Sequence, residues 1–126
     1  MKKIIETPNA PAPIGPYSQA VLYEDTLYTS GQIAINPLTG DLVSGDITKE
    51  TEQVMKNLGA VLEQAGMSYK NVLKTTIFIK DMNDFQKINM VYGSYFDEAT
   101  APARETVEVA RLPKDVSVEI SALARK

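Results

Sequence analysis

Few side chains in this chain could move protons or bind anions, and they fall in a few places. Arg104 follows a Thr-Ala-Pro-Ala segment and opens a β-favouring run. Its planar guanidinium could grip a carboxylate through two parallel hydrogen bonds. Taken alone, that setting fits an ordinary surface ion pair better than a ligand clamp. Glu119 lies between Val118 and Ile120 in the last β-favouring run. If its face is covered, desolvation raises the carboxyl pKa and suits it to proton transfer. By pattern alone it reads as a solvated or ion-paired glutamate, and Glu108 is an equally good carboxylate. Tyr17-Ser18 closes a proline-rich segment, and Ser30-Gly31 sits inside an apolar run. A hydroxyl or backbone N–H there could hold a small ligand. The plainer readings are turn chemistry at Tyr17-Ser18 and close packing at Gly31. Lys74 and Lys114 could form Schiff bases, but nothing in their setting lowers an ammonium pKa.

What is missing narrows the chemistry further. The 126 residues include no His and no Cys. Disulfides, Ser-His-Asp triads, thiol nucleophiles and zinc sites built on His or Cys are therefore excluded. Proton transfer falls to a carboxylate, Tyr, Lys or water. The net charge of −3 argues against a nucleic-acid partner. The N-terminal segment has two lysines but lacks the apolar core of a signal peptide. No run approaches the ~18–20 apolar residues of a membrane span, so no membrane association and a cytoplasmic location are expected. Glycine-containing segments match neither a P-loop nor a dinucleotide fingerprint. The length suits one domain over 1–126.

The elements that must position these residues follow from periodicity. Residues 2–6 favour a strand, and the four prolines of 7–16 impose a loop. Residues 19–24 and 27–35 read as a hairpin turning at Asp25-Thr26, with the second strand covered on both faces. Val54, Leu58, Val61, Leu62 and Ala65 predict a helix over about 48–65, capped by Asp46 or Thr48 and stopped at Gly66. A strand at 72–80 follows. A second helix begins near Asp81–Asp84, carries Phe85, Ile88, Tyr92 and Tyr95 on one side, and ends at Thr100-Ala101-Pro102. Strands at 104–110 and 116–124 complete a β-β-β-α-β-α-β-β order. Two helices cannot cover both faces of a five- or six-stranded sheet, so the expectation is an α+β sandwich with both helices on one face. In the last strand Val116, Val118, Ile120, Ala122 and Ala124 suit the helix side. The other face carries Ser117, Glu119, Ser121 and Leu123. It is too mixed for a solvated surface and points to cover by another subunit in a closed homo-oligomer.

Three segments taken together carry a resemblance. They are Ile14-Gly15-Pro16-Tyr17-Ser18-Gln19-Ala20, Thr29-Ser30-Gly31-Gln32-Ile33, and Pro102-Ala103-Arg104 continuing through Val107 to Asp115. With the Asn-Pro-x-Thr-Gly turn at 36–40, the chain closely resembles the RidA/YjgF family of reactive-intermediate deaminases over essentially its whole length. The resemblance implies a chorismate-mutase-like two-layer fold and a homotrimer with a central barrel and sites between subunits. It also implies hydrolysis of enamines and imines such as 2-aminoacrylate and 2-aminocrotonate to 2-keto acids and ammonia, without metal or cofactor. Mapped onto this sequence, the carboxylate-binding arginine is Arg104 and the water-positioning glutamate is Glu119. The pocket residues are Tyr17, Ser30 and Gly31. Thr106 stands where many relatives carry a Cys, a position used mainly through its backbone. Glu105, next to the arginine, is a further departure that bears on substrate preference. Two other readings use the same residues: a non-enzymatic 2-keto-acid-binding trimer with a regulatory or chaperone-like role, and an endoribonuclease that inhibits translation.

Overall fold

The computed structural model describes all 126 residues. The chain runs β1 (Lys3–Ile5), β2 (Ala20–Tyr23), β3 (Thr26–Thr29), α1 (Ile47–Gln64), β4 (Val72–Ile79), α2 (Phe85–Gly93), β5 (Ala103–Glu108) and β6 (Val118–Arg125). This is the expected order. The strands form one six-stranded sheet, β1-β2-β3-β6-β4-β5. It is mixed: only β4 and β5 run parallel, joined by the α2 crossover that a parallel pair requires.

α1 forms where the 3.6-residue repeat predicts. Asp46 caps it by accepting the Thr48 and Lys49 N–H groups at 2.9 and 3.3 Å, and Gly66 follows it at φ +75. Its stripe of Val54, Leu58, Val61 and Leu62 is wholly buried against the sheet. Each such side chain contributes about 1.5–3 kcal/mol through removal from water. β6 supplies the facing layer with Val118, Ile120, Ala122 and Ala124. No helix is long and apolar enough to cross a membrane.

Strand register carries this two-sidedness across the sheet. Ile77 pairs with Ile120 and Thr75 with Ala122, while on the next strand Thr75 lies beside Arg104 and Ile77 beside Thr106. Arg104 and Thr106 therefore share the helix-covered face. Glu119, Ser121 and Leu123 share the opposite face with Phe78, Thr76, Glu105 and Val107. That open face keeps Tyr28 and Val107 exposed within the single chain.

Three local expectations need correction. The hairpin turns at Glu24-Asp25, with Glu24 at φ 53 and Thr26 already paired to Tyr23. The run predicted to continue to residue 35 leaves the ladder after Thr29, and Tyr28 is exposed. Beyond it only Gln32 bridges Ile120 and Ile35 bridges Leu42. The second helix ends at Gly93, well before Pro102. Ser94 turns its hydroxyl back onto the Val91 carbonyl at 2.6 Å, and a separate turn at Glu98–Thr100 is capped by Asp97. The aromatic spacing through Tyr95 continues across that break because Tyr92 and Phe96 still pack, with centroids 4.8 Å apart.

Candidate functional site

The proline loop is rigidified by one buried side chain. Gln19 accepts the Thr7 N–H at 2.7 Å and donates toward the carbonyls of Thr7, Ala10 and Pro11 at 3.0, 3.2 and 2.9 Å. Prolines cannot donate, so this amide supplies the hydrogen bonds that the loop cannot make for itself. Beside it, Ser30 donates its hydroxyl to the Ser18 carbonyl at 2.6 Å and its N–H to the Gln19 carbonyl at 2.9 Å. Asn57, wholly buried on α1, donates to the carbonyls of Ile33 and Ile35 at 3.0 and 2.9 Å. The irregular stretch after β3 is thus held from both sides, by Asn57 and by the Gln32–Ile120 bridge.

A cavity of about 480 Å³ opens between these segments. It is lined by Tyr17, Ser30, Gly31, Lys114 and Glu119, with an apolar wall that includes Ile14 and Ile33. Four of the six predicted site residues meet here. Tyr17 is exposed, and its hydroxyl accepts the Ile14 N–H at 3.4 Å.

Gly31 is required by Glu119. A Cβ at position 31 would lie 2.6 Å from Glu119 Cδ, 2.8 Å from Cγ and 2.9 Å from Oε2. The carboxylate rests on the bare α-carbon. Glu119 is half-buried, and desolvation raises its pKa above the ordinary 4.5. Glu108, its rival in the sequence, is exposed and uses Oε1 to accept the Met82 N–H at 2.8 Å. Burial separates two carboxylates that composition leaves equal. Gly31→Ala is expected to fold, because the atoms it displaces are the free end of a side chain. It is expected to cost about 10²-fold in kcat by moving that carboxylate. Steady-state assays beside a melting curve check this: wild-type kcat in the variant would show that the seat is irrelevant.

Arg104 and Thr106 do not join this cavity. Arg104 projects from the helix side of the edge strand into a second hollow, which Asn89, Tyr92, Phe96 and Pro102 help to line. Its Nη1 donates to Asn89 Oδ1 at 2.5 Å. The guanidinium carbon lies 5.1 Å from the Tyr92 ring centroid and 5.6 Å from that of Phe85. Arg104 makes no ion pair within its chain; the ion pairs are Lys74–Glu105 and Arg111–Asp115. The ion-pair reading thus finds no partner within the chain, and apart from the bond to Asn89 the fork's donors have no side-chain acceptor there. Glu105 turns to the open face, 2.6 Å from the Lys74 ammonium. Thr106 shares the Arg104 face, and its hydroxyl is buried without a partner.

One chain thus places two charged groups on opposite faces of the sheet: a half-buried carboxyl whose pKa is raised by desolvation, and a guanidinium with no carboxylate partner in its own chain. Sequence reading passed over Gln19, Asn57 and Asn89. The signal for Asn89 was an amide at i+4 from Phe85 and i−3 from Tyr92, inside an otherwise apolar stripe.

Comparison with known proteins adds kinship. The sequence profile of the family described as Endoribonuclease L-PSP matches residues 7–126. A RutC family protein of Synechocystis is 58% identical over 123 residues, covering 97% of this chain and 95% of the relative. The 2-iminobutanoate/2-iminopropanoate deaminase of Escherichia coli is 50% identical over 126 residues, covering 98% of each. A crystal structure of YyfA, a Rid protein family member from Yersinia pestis, superposes with a TM-score of 0.97 at 53% identity, covering all of both chains.

Proposed function

Because this chain belongs to the Endoribonuclease L-PSP family, the family of the RidA/YjgF proteins, we propose that it is an enamine/imine deaminase. It hydrolyses 2-iminopropanoate and 2-iminobutanoate, the imine tautomers of 2-aminoacrylate and 2-aminocrotonate, to 2-keto acids and ammonia. The observation that carries this reading is Glu119, a carboxyl with a raised pKa seated on Gly31 in a cavity large enough for a small organic acid. The family relatives named 2-iminobutanoate/2-iminopropanoate deaminase point the same way.

In this reading the working form is a homotrimer with a central barrel. The open sheet face with Tyr28 and Val107 is covered there, and Arg104 of one subunit meets the Glu119 cavity of the next. The fork of Arg104 takes the substrate carboxylate and fixes the imine carbon. Glu119 removes a proton from water as its oxygen attacks that carbon, and the proton passes to nitrogen. Collapse of the carbinolamine breaks the C–N bond, releases ammonia and leaves the keto group. Such imines hydrolyse readily in water, so a modest lowering of the barrier is enough. Ser30, Gly31, Tyr17 and the Thr106 backbone border the substrate.

The test is a coupled assay. A pyridoxal-phosphate-dependent dehydratase supplied with serine or threonine generates the enamine, and keto-acid release is followed with and without this protein. Release is expected to accelerate in proportion to added protein. A buffer-level rate at every concentration would remove the deaminase reading. The family's description also names an endoribonuclease. RNA cleavage that survives purification and disappears with Glu119→Gln would favour that reading instead, against the net charge of −3 and the lack of His.

A further inference from the structure

We propose that Tyr92, anchored by Thr75, is a positioning residue that sets the plane in which the Arg104 guanidinium meets the substrate carboxylate. This rests on the deaminase reading of Arg104 and adds residues to it. Arg104 stands on an edge strand, is exposed, and has a long side chain with many rotamers. A clamp of that kind binds well only if its orientation is fixed in advance.

The fixing elements come from one face of α2. Phe85, Asn89 and Tyr92 recur at spacings of four and three and surround the guanidinium. The guanidinium carbon lies over both rings and Asn89 takes one N–H, which leaves further donors for a carboxylate.

Tyr92 differs from Phe85 in how firmly it is held. It is 5% exposed, and its hydroxyl lies 2.7 Å from the Thr75 hydroxyl, itself 1% exposed. Thr75 is also the residue of β4 beside which Arg104 sits in the parallel ladder. The contacts therefore close a ring: the Arg104 backbone to β4, the Thr75 side chain to the Tyr92 hydroxyl, and the Tyr92 ring to the guanidinium. Strand and helix cannot shift relative to each other without moving the surface on which the guanidinium rests.

The phenol has no free role in proton transfer. Burial raises its pKa, so it stays neutral and does not quench the arginine as a phenolate. Its hydroxyl is already engaged by Thr75. What remains is orientation.

Tyr92→Phe removes the hydroxyl and keeps the ring, and Thr75→Val removes the partner at nearly constant shape. Each is expected to raise the KM for a 2-imino acid, and the calorimetric Kd for 2-oxobutanoate, by about threefold to tenfold, as expected for one lost hydrogen bond. The kcat of each should stay within about twofold of wild type. The double variant should be no worse than either single one, because both break the same link. Thr75→Ser restores the hydroxyl and should restore Kd. Wild-type Kd in Tyr92→Phe, a lowered kcat at unchanged KM, a lowered melting temperature alone, or strictly additive effects would each overturn the proposal. If wild-type protein neither binds 2-oxobutanoate nor turns over the imine, the deaminase reading itself fails and this proposal falls with it.

Discussion

Arg104→Ala is expected to lower kcat/KM for a 2-imino acid by about 10²–10³-fold, equivalent to ~3–4 kcal/mol of lost stabilisation of a charged group. The reason is specific to the setting. The guanidinium has no carboxylate partner in its own chain and is held by Asn89 and by the Tyr92 and Phe85 rings, so in the proposed reaction its remaining donors meet the substrate carboxylate. Alanine removes the clamp without leaving a buried charge unpaired, because Arg104 is exposed. The melting temperature and oligomeric state should therefore match wild type. Arg104→Lys keeps the charge but loses the fork and the guanidinium that lies over the rings, and should recover only part of the loss. Steady-state kinetics with enzymatically generated imine measure both variants. Full activity in Arg104→Ala would remove the clamp from the mechanism.

Glu119→Gln should show activity and stability moving in opposite directions. Loss of the proton carrier is expected to lower kcat by about 10²–10⁴-fold. Stability should rise at neutral pH. Burial lifts the folded-state pKa of Glu119 above its ordinary 4.5, so the native protein binds this proton more tightly than the unfolded chain does. Stability from this group is full below 4.5 and is lost as pH rises through the raised pKa, leaving a desolvated carboxylate in the native state. Gln carries no such charge and fits the same seat over Gly31. Melting curves from pH 4 to 8 should show the variant gaining on wild type as pH rises. Parallel curves would show that the carboxylate carries no folding penalty.

The elements that bury one continuous stripe were legible in the sequence. Val54, Leu58, Val61 and Leu62 announce α1, and the alternation from Val118 to Ala124 announces β6, because the packing that fixes them follows the period of the chain itself. The end of α2 was less so. The aromatic spacing runs on through Tyr95 and Phe96, but Gly93 and the Ser94 hydroxyl break the helix beneath it. The segment after Thr29 was misread because its backbone is satisfied by Asn57, which is more than twenty residues away in the chain. Single residues in the site were readable as types: an arginine after Pro-Ala, a glutamate between two branched apolar residues, and a glycine in an apolar run. Their placement on opposite faces was not, since it depends on the register of β4 against both β5 and β6. Gly31 and Glu119 meet through a pairing between segments almost ninety residues apart.

The separation of Arg104 from Glu119 has a genetic consequence. If each reaction centre draws its anion clamp and its proton carrier from different copies of the polypeptide, the two functions behave as separable alleles. A chain lacking one and a chain lacking the other complement each other when they co-assemble. In that arrangement a single defective allele would also act beyond its own product, because each mixed assembly would lend its flawed half to a healthy neighbour.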